Sequence, residues 1–212
     1  SNGGVIFSQG TAKVTVHSSI FFRNIADKTG GGFSIKNSKI FHIRECNFLL
    51  NKANNRAGAI FIVGSVKSQI VHCKFRRNSA QSSGGAIYSE NIALFELSSS
   101  HLINHKSKQD GGAVFITGFG NLYCTASTFI NNNASNGGSL FIFGSHLSIS
   151  KSVYLQNLTF LNSSANQMAG TVYLFRAVRL ICSQISLKNS FSRYREGGAF
   201  YLEQIEKAIL QN

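Results

Sequence analysis

Proline and tryptophan are absent from this 212-residue chain, and acidic residues are scarce. Only eight residues are Asp or Glu, and the only aspartates are Asp27 and Asp110, so chemistry that needs clustered aspartates is disfavoured. No apolar run reaches the ~18 residues of a membrane-spanning helix, which excludes such a helix in this sequence. The composition is 43% hydrophobic with 18 Phe, which is too apolar for a disordered chain. The sequence therefore predicts a folded domain.

A repeat of about 27 residues organises the sequence. Pairs of small residues recur, and their second members are Gly4, Gly31, Gly58, Gly85, Gly112, Gly138, Gly170 and Gly198. A second series keeps this spacing through Phe21, Phe48, Phe75, Leu102 and Phe129, and continues at wider intervals with Phe160 and Phe191. Three residues after the first five members stand Asn24, Asn51, Asn78, His105 and Asn132. Two independent series with one period indicate a structural repeat.

Apolar and polar residues alternate inside each period, which is the pattern of β-strands. Each period holds about three short strands joined by tight bends, and only the tail at 203–210 has a pattern that a helix could adopt. This organisation predicts an all-β fold, a right-handed parallel β-helix (solenoid) with about 27 residues per rung and seven to eight rungs. We expect residues 1–212 to form a single β-helix segment of a longer repeat protein.

The repeated residues have physical roles in such a rung. Stacked apolar columns fill a narrow core, and glycine before a strand permits a positive φ or avoids a clash with the neighbouring rung. An asparagine at a bend bonds the backbone of its own turn and the amide of the next rung. We therefore interpret eight residues as a structural ladder: Phe21, Phe48, Phe75, Phe129, Asn24, Asn51, Asn78 and Asn132.

Two short motifs recur within the repeat. Gly-Gly-Ala followed by Ile or Val occurs at 84–87 and 111–114, and Phe-x-x-Asn occurs at 21–24, 48–51, 75–78 and 129–132. The pattern resembles the repeats of the polymorphic outer membrane proteins of chlamydia-like bacteria, and it is similar to pectin-lyase-like repeat proteins. The resemblance covers nearly the whole chain. It implies the β-helix fold and a surface-exposed or secreted protein with an adhesive or structural role.

The sequence does not bring its acidic or histidine side chains together. Polysaccharide-cleaving β-helix enzymes need clustered carboxylates, whereas Asp27 and Asp110 fall about three rungs apart. Metal ligands must converge, but the histidines fall in five different columns: His17, His42, His72, His101 and His105. We therefore predict no catalytic residues, no metal site and no cofactor.

Cys46 and Cys73 are one repeat apart in a single inward column. We expect them to stack on adjacent rungs, at a spacing compatible with a disulfide. The alternative is two buried thiols that act as small apolar residues, like the serines of the same column. Cys124 follows Leu97 in another column and is interpreted as core, and the absence of Cys-x-x-Cys argues against zinc or redox motifs.

The formal net charge of +13 has no single origin in the sequence. Lys and Arg are scattered, with a partial stripe in which Arg23 and Arg77 share an outward column and Arg193 joins farther along. We expect a solvated basic surface that faces acidic glycans or a protein partner, and we do not expect a nucleic-acid partner.

Three Asn-x-Ser/Thr sequons begin at Asn133, Asn157 and Asn162. Asn133 follows a ladder asparagine at a bend, and the other two lie in outward columns of a lengthened rung. They are candidate glycosylation sites if the chain is secreted by a eukaryote, because a glycan at these positions would not enter the core.

These features favour a non-enzymatic structural or adhesive β-helix module, extracellular or at the cell surface. Its sheet faces and open ends suit self-association into a filament or matrix, or contact with other surface proteins. Two alternatives stay open. One is a polysaccharide lyase or hydrolase with acids on one sheet face, and the other is an intracellular binding scaffold without glycans or disulfides.

Overall fold

A computed structural model describes residues 2–144 and 152–211. The described residues contain 23 strands and no helix. The first three turns have four strands each: β1 (Ile6–Gln9), β2 (Lys13–His17), β3 (Ile20–Phe22), β4 (Ile25–Ala26), β5 (Phe33–Lys36), β6 (Ile40–Arg44), β7 (Asn47–Leu49), β8 (Lys52–Ala53), β9 (Ile60–Val63), β10 (Lys67–Val71), β11 (Lys74–Arg76) and β12 (Ser79–Ala80).

In the later turns some consecutive strands merge into longer ones. These turns comprise β13 (Ile87–Ser98), β14 (His101–Ile103), β15 (Lys106–Ser107), β16 (Val114–Ile130), β17 (Asn133–Asn136), β18 (Leu140–Phe143), β19 (Ser152–Leu161), β20 (Ser164–Met168), β21 (Val172–Lys188), β22 (Phe191–Ser192) and β23 (Phe200–Gln211). The tail that could have been helical is therefore strand β23, because it pairs in parallel with β21.

Each turn stacks in parallel on its neighbours, and over most of the chain the offset is one sequence repeat. Strand β10 pairs with β6 on one side and β13 on the other, so that Phe41, Ser68 and Phe95 form one column. The strands make about seven turns, which confirms the predicted parallel β-solenoid. Most strands belong to one 16-stranded sheet, and the short strands that end each turn form a second, seven-stranded sheet. The sequence predicted about three strands per turn and missed these short strands.

The corners of each turn are single residues in the left-handed region. Twenty non-glycine residues of the described chain have φ between 45° and 60°, and they recur with the same period as the strands. Leu50, Arg77 and Asn104 are one such column, with φ of 56°, 53° and 60°. Left-handed residues other than glycine carry strain, which persists only where surrounding structure over-determines the conformation. The stacked turns supply that constraint.

The two members of a glycine pair have different roles. Gly84 has φ of 69°, which makes it a left-handed corner. Gly85 lies close to the carbonyl oxygen of Gly112 in the next turn. A Cβ on Gly85 would lie closer than 3.0 Å to that oxygen. The first position therefore requires glycine because of its backbone conformation. The second requires glycine because the next turn leaves no room for a Cβ.

The core is a stack of aligned side chains inside the turns. Phe21, Phe48 and Phe75 are stacked with ring centroids 4.9 and 4.8 Å apart, and the column continues through Leu102, Phe129 and Phe160. Phe160 pairs with Leu187, so the prediction that Phe191 continues the column is wrong. The offset between paired residues is 31 from β16 to β19 (Asn121 to Ser152), 27 from β19 to β21 (Ser152 to Arg179) and 28 from β21 to β23 (Val172 to Phe200), whereas the sequence interpretation placed a second interval of 31 at Phe191.

Candidate functional site

The Asn column forms a hydrogen-bond ladder between turns, whereas the sequence analysis expected part of the bonding within each asparagine's own turn. The side-chain oxygen Oδ1 of Asn51 accepts the backbone N–H of Asn24 at 3.0 Å, and its Nδ2 donates to the carbonyl of Phe21 at 2.9 Å. Asn78 repeats both contacts one turn later. Because each amide is fully used by neighbouring turns, these asparagines hold the corner together and offer nothing to a ligand.

His105 is the irregular member of this column. Its Nδ1 accepts the backbone N–H of Asn78 at 3.1 Å, but its buried Nε2 has no hydrogen-bond partner among the described residues. Burial lowers the pKa of His105 from 6.5 to about 4, and the nearby backbone groups of Asn78 and Phe75 only partly oppose this. His105 is therefore a neutral core residue at pH 7.

The four cysteines are buried and free in the structure. Cys46 and Cys73 occupy the predicted shared column, and their Sγ atoms point to the carbonyls of Arg44 and Val71, each at 3.3 Å. Burial raises the pKa of Cys73 to about 12, so its thiol is protonated and unreactive at pH 7. The disulfide between Cys46 and Cys73 stays a prediction.

Cys124 lies in a purely apolar column. It pairs with Leu97 on one turn and Leu155 on the next, and burial raises the pKa of its thiol strongly. Cys182 continues the same column, and burial raises its pKa to about 11. Both residues act as small apolar side chains.

The three sequons differ in accessibility. Asn157 and Asn162 are exposed left-handed corners with φ of 50° and 53°. Asn133 is half-buried, and its Nδ2 donates to the Oγ of Ser164 at 2.8 Å and to the Ser164 carbonyl. Glycosylation stays a prediction. Exposure favours Asn157 and Asn162 over Asn133, and Asn157 over Asn162, because the Nδ2 of Asn162 donates to the Oδ1 of Asn131.

The acidic residues contact neutral or basic partners at separate places. Glu90 accepts a hydrogen bond from the Tyr88 hydroxyl at 2.9 Å and lies 3.7 Å from Arg56. Glu45 is bonded by Arg44 at 2.9 Å, and Asp110 accepts from Asn136 at 2.8 Å. Glu96 accepts from Gln69, and Glu203 accepts from Tyr201. In residues 2–144 and 152–211, no group of three His, Cys, Asp or Glu side chains is placed to hold a metal ion.

An outward aromatic column was missed from the sequence. Six rings stack on consecutive turns, directly after the first inward residue of each turn: Phe61, Tyr88, Phe115, Phe141, Tyr173 and Tyr201. Their centroids are 4.5 to 5.2 Å apart. A sugar stacks on an exposed ring face, and these faces are covered by the neighbouring rings. The column therefore stiffens the sheet, and its regular spacing was the signal that could have revealed it.

A basic surface extends from the strands that carry the Phe column, across the corners that follow them, to the short strands of the second sheet. We call it the basic face and define it by six exposed side chains in the first four turns: Arg23, Lys52, Lys74, Arg76, Arg77 and Lys106. A groove of about 330 Å³ runs across it, lined by Ile20, Asn47, Phe48, Leu49, Lys74 and Arg76. The predicted stripe of Arg23 and Arg77 belongs to this face. Arg193 does not, because the column continues with Asn189 instead.

A comparison with known protein families gives a match to part of the chain. Residues 72–90 match the Chlamydia polymorphic membrane protein repeat. The comparisons found no match among curated proteins or solved structures. The part of the chain described by the structure contains no helix suited to crossing a membrane. The chain therefore carries a repeat of the polymorphic membrane protein type within a β-solenoid.

Proposed function

We propose that this chain is a non-enzymatic adhesive or structural module of a cell-surface β-helix protein. The observation that carries the proposal is the repeat match at 72–90, because the solenoid extends the same Phe and Asn columns over the neighbouring turns. The matched family is one of membrane proteins by name, which supports a surface location. An extended rod of stacked turns offers long lateral faces for partners.

The arrangement of side chains supports a role without catalysis. The side-chain amides of the Asn column form structural hydrogen bonds with neighbouring turns. The buried thiols are protonated, and the carboxylates described above each contact a non-acidic partner. A glycosidase or lyase needs two ionisable groups at one substrate bond. We keep a polysaccharide-acting enzyme as the second candidate because many extended sugar polymers would fit a flat sheet face.

Adhesion is tested with beads that carry the purified chain. We expect coated beads to bind cells or extracellular matrix, and to release no reducing sugar from uronate or neutral polysaccharides. Beads coated with a β-solenoid of unrelated sequence are the control. Cleavage of a polysaccharide, abolished by replacing one carboxylate, would establish the enzyme instead.

Location and self-association are tested on native material. Intact mass before and after deglycosylation and reduction should show a glycan or disulfide if the protein is secreted by a eukaryote. Fully reduced and unglycosylated protein from such a source supports the intracellular scaffold. Electron microscopy should show filaments or lateral arrays, and dispersed monomeric particles would contradict self-association.

A further inference from the structure

We infer that the basic face binds a linear acidic glycan along the axis of the solenoid. This inference rests on the proposed surface role and assigns the chemical class of ligand. It also gives a role to part of the positive charge, because 14 of the 21 Lys and Arg residues precede residue 109 and six of these form the basic face.

The face is built by parallel pairing of adjacent turns. Lys74 and Arg76 project outward from either side of Phe75 in β11, and Arg77 follows at the exposed corner. Lys52 and Lys106 lie one turn before and one turn after Ser79 in the second sheet, about 10 Å apart. The register therefore assembles charges that are two repeats apart in sequence into one surface.

The positive charges of this face are not neutralised within the described chain. None of the six side chains forms an ion pair with a described carboxylate. The outward positions of the Phe strands, their following corners and the first residues of the short strands contain no Asp or Glu in any described turn. Glu45 lies at the preceding corner and is bonded by Arg44. Unpaired like charges repel one another, and an anionic polymer would relieve that repulsion.

The groove gives this charge a shape. Lys74 and Arg76 line it together with the exposed Ile20, the half-buried Leu49 and Asn47. Sugar rings have apolar faces and polar edges, so a groove lined by both aliphatic and cationic side chains suits an acidic sugar. Its lining residues come from the paired strands β3, β7 and β11 of three consecutive turns.

An exposed amide ladder extends the face toward the later turns. Asn131 donates from Nδ2 to the Oδ1 of Asn104 at 3.0 Å, Asn162 donates to Asn131, and Asn189 donates to Asn162. Each amide keeps a second N–H and lone pairs directed to solvent. The hydroxyls of a glycan that is anchored on the basic face can bond this ladder.

The composition of the face favours a glycan over a nucleic acid. Proteins that bind single strands combine positive charge with exposed aromatic rings on which bases stack. At the outward positions of the Phe-column strands in the first four turns, Phe22 is the only Phe or Tyr, and Arg23 lies over its ring at 4.8 Å. The remaining apolar positions there are aliphatic.

The test measures binding of heparin and of polygalacturonate by calorimetry, with neutral dextran and duplex DNA for comparison. We expect both acidic glycans to bind in a salt-dependent manner and dextran not to bind. The variant K74Q/R76Q should weaken binding about 30-fold at low salt, since each cation near an anionic surface contributes about fivefold. The variant K52Q/K106Q, on the other sheet, should show a loss of similar size.

The matched control is R179Q/K207Q. Arg179 and Lys207 are exposed neighbours in register on β21 and β23, remote from the basic face, and their replacement removes the same charge. An equal loss of binding in this control would overturn the proposal, because it would show attraction by net charge alone. Tighter binding of duplex DNA than of either glycan at equal salt would also overturn it.

Glycan binding and bead adhesion together distinguish a failure of the glycan site from a failure of the proposed adhesive function. If K74Q/R76Q loses glycan binding but coated beads still adhere, the glycan site holds and adhesion uses another surface. If wild-type protein binds neither heparin nor polygalacturonate while beads adhere, this inference fails and the adhesive function stands. Glycan binding without any adhesion contradicts the adhesive function alone.

Discussion

His105 occupies an asparagine position, and its replacement by asparagine should stabilise the protein. In the neighbouring turns, Nδ2 of Asn78 donates to a backbone carbonyl one turn earlier, at 3.0 Å. Asn132 makes the same bond at 3.1 Å. The corresponding carbonyl for position 105 is that of Phe75. The imidazole instead leaves Nε2 buried, with no partner in the described chain.

The change His105→Asn has two separate effects. At pH 7 it removes an unpaired buried donor and adds one buried hydrogen bond, which we expect to stabilise the fold by about 1 kcal/mol after the smaller side chain loses some packing. The second effect depends on pH. Because the folded-state pKa of His105 is about 4 against an ordinary 6.5, the unfolded chain takes up a proton that the folded chain excludes.

The stability contributed by neutral His105 is complete above pH 6.5 and is lost as the pH falls toward 4. The pKa difference corresponds to about 3 kcal/mol across that window. The advantage of His105→Asn over wild type should therefore grow by about 3 kcal/mol between pH 7 and pH 4. Other shifted groups, such as Asp110, are identical in both proteins and cancel in the difference.

Urea unfolding followed by circular dichroism at pH 7.5, 5.5 and 4.2 measures this effect. His101→Asn is the control, because His101 is exposed in the same turn and its replacement makes the same change of residue type outside the core. Parallel pH profiles for wild type and His105→Asn would refute the reasoning. Such a result would mean that His105 is protonated in the fold or solvated.

Three further tests, which use five substitutions, probe the stacked architecture by thermal or urea unfolding. Gly85→Ala should destabilise by more than about 3 kcal/mol through collision with the next turn, whereas Gly198→Ala, with open space around its Cβ, should be nearly neutral. Cys73→Ser should change the free energy of unfolding by less than about 0.5 kcal/mol, because its column already carries serine hydroxyls. Cys124→Ser should lower it by about 1 to 3 kcal/mol, because the new hydroxyl would be unpaired among leucines. Asn51→Ala should lose about 2 to 4 kcal/mol, since four neighbouring backbone and amide groups lose a partner. A loss below about 1 kcal/mol for Asn51→Ala would contradict the ladder.

Much of the fold could be predicted from the sequence because a solenoid repeats the same packing environment in every turn. The same residue type returns wherever the neighbouring turn imposes the same constraint, so the periods of Phe48 and Asn51 revealed the columns without three-dimensional information. Phe191 shows the limit of that method. Its residue type fitted the column, but the register of β21 places Leu187 there and leaves Phe191 55% exposed in the second sheet.

The candidate site was less readable, because a surface has no strict residue requirement. Arg76 has no cation one repeat before or after it, and Lys52 and Lys106 share a column that Ser79 interrupts, so their spacing did not mark them among the other scattered cations. The outward ring of Tyr88 was periodic and could have been found, but its structural role depends on the rings above and below it.

The sequence by itself determined the parallel β-solenoid, the length of its turn and its inward columns, because stacked turns force equivalent residues to meet equivalent neighbours. Only the tertiary structure decided how the cations combine into one face and that none of the six forms an ion pair with a described carboxylate. Outward side chains meet solvent, so their identity does not reveal their position. The scarcity of acidic residues disfavoured catalysis at first, and in the fold it leaves Lys74 and Arg76 beside a groove without an ion pair to any described carboxylate.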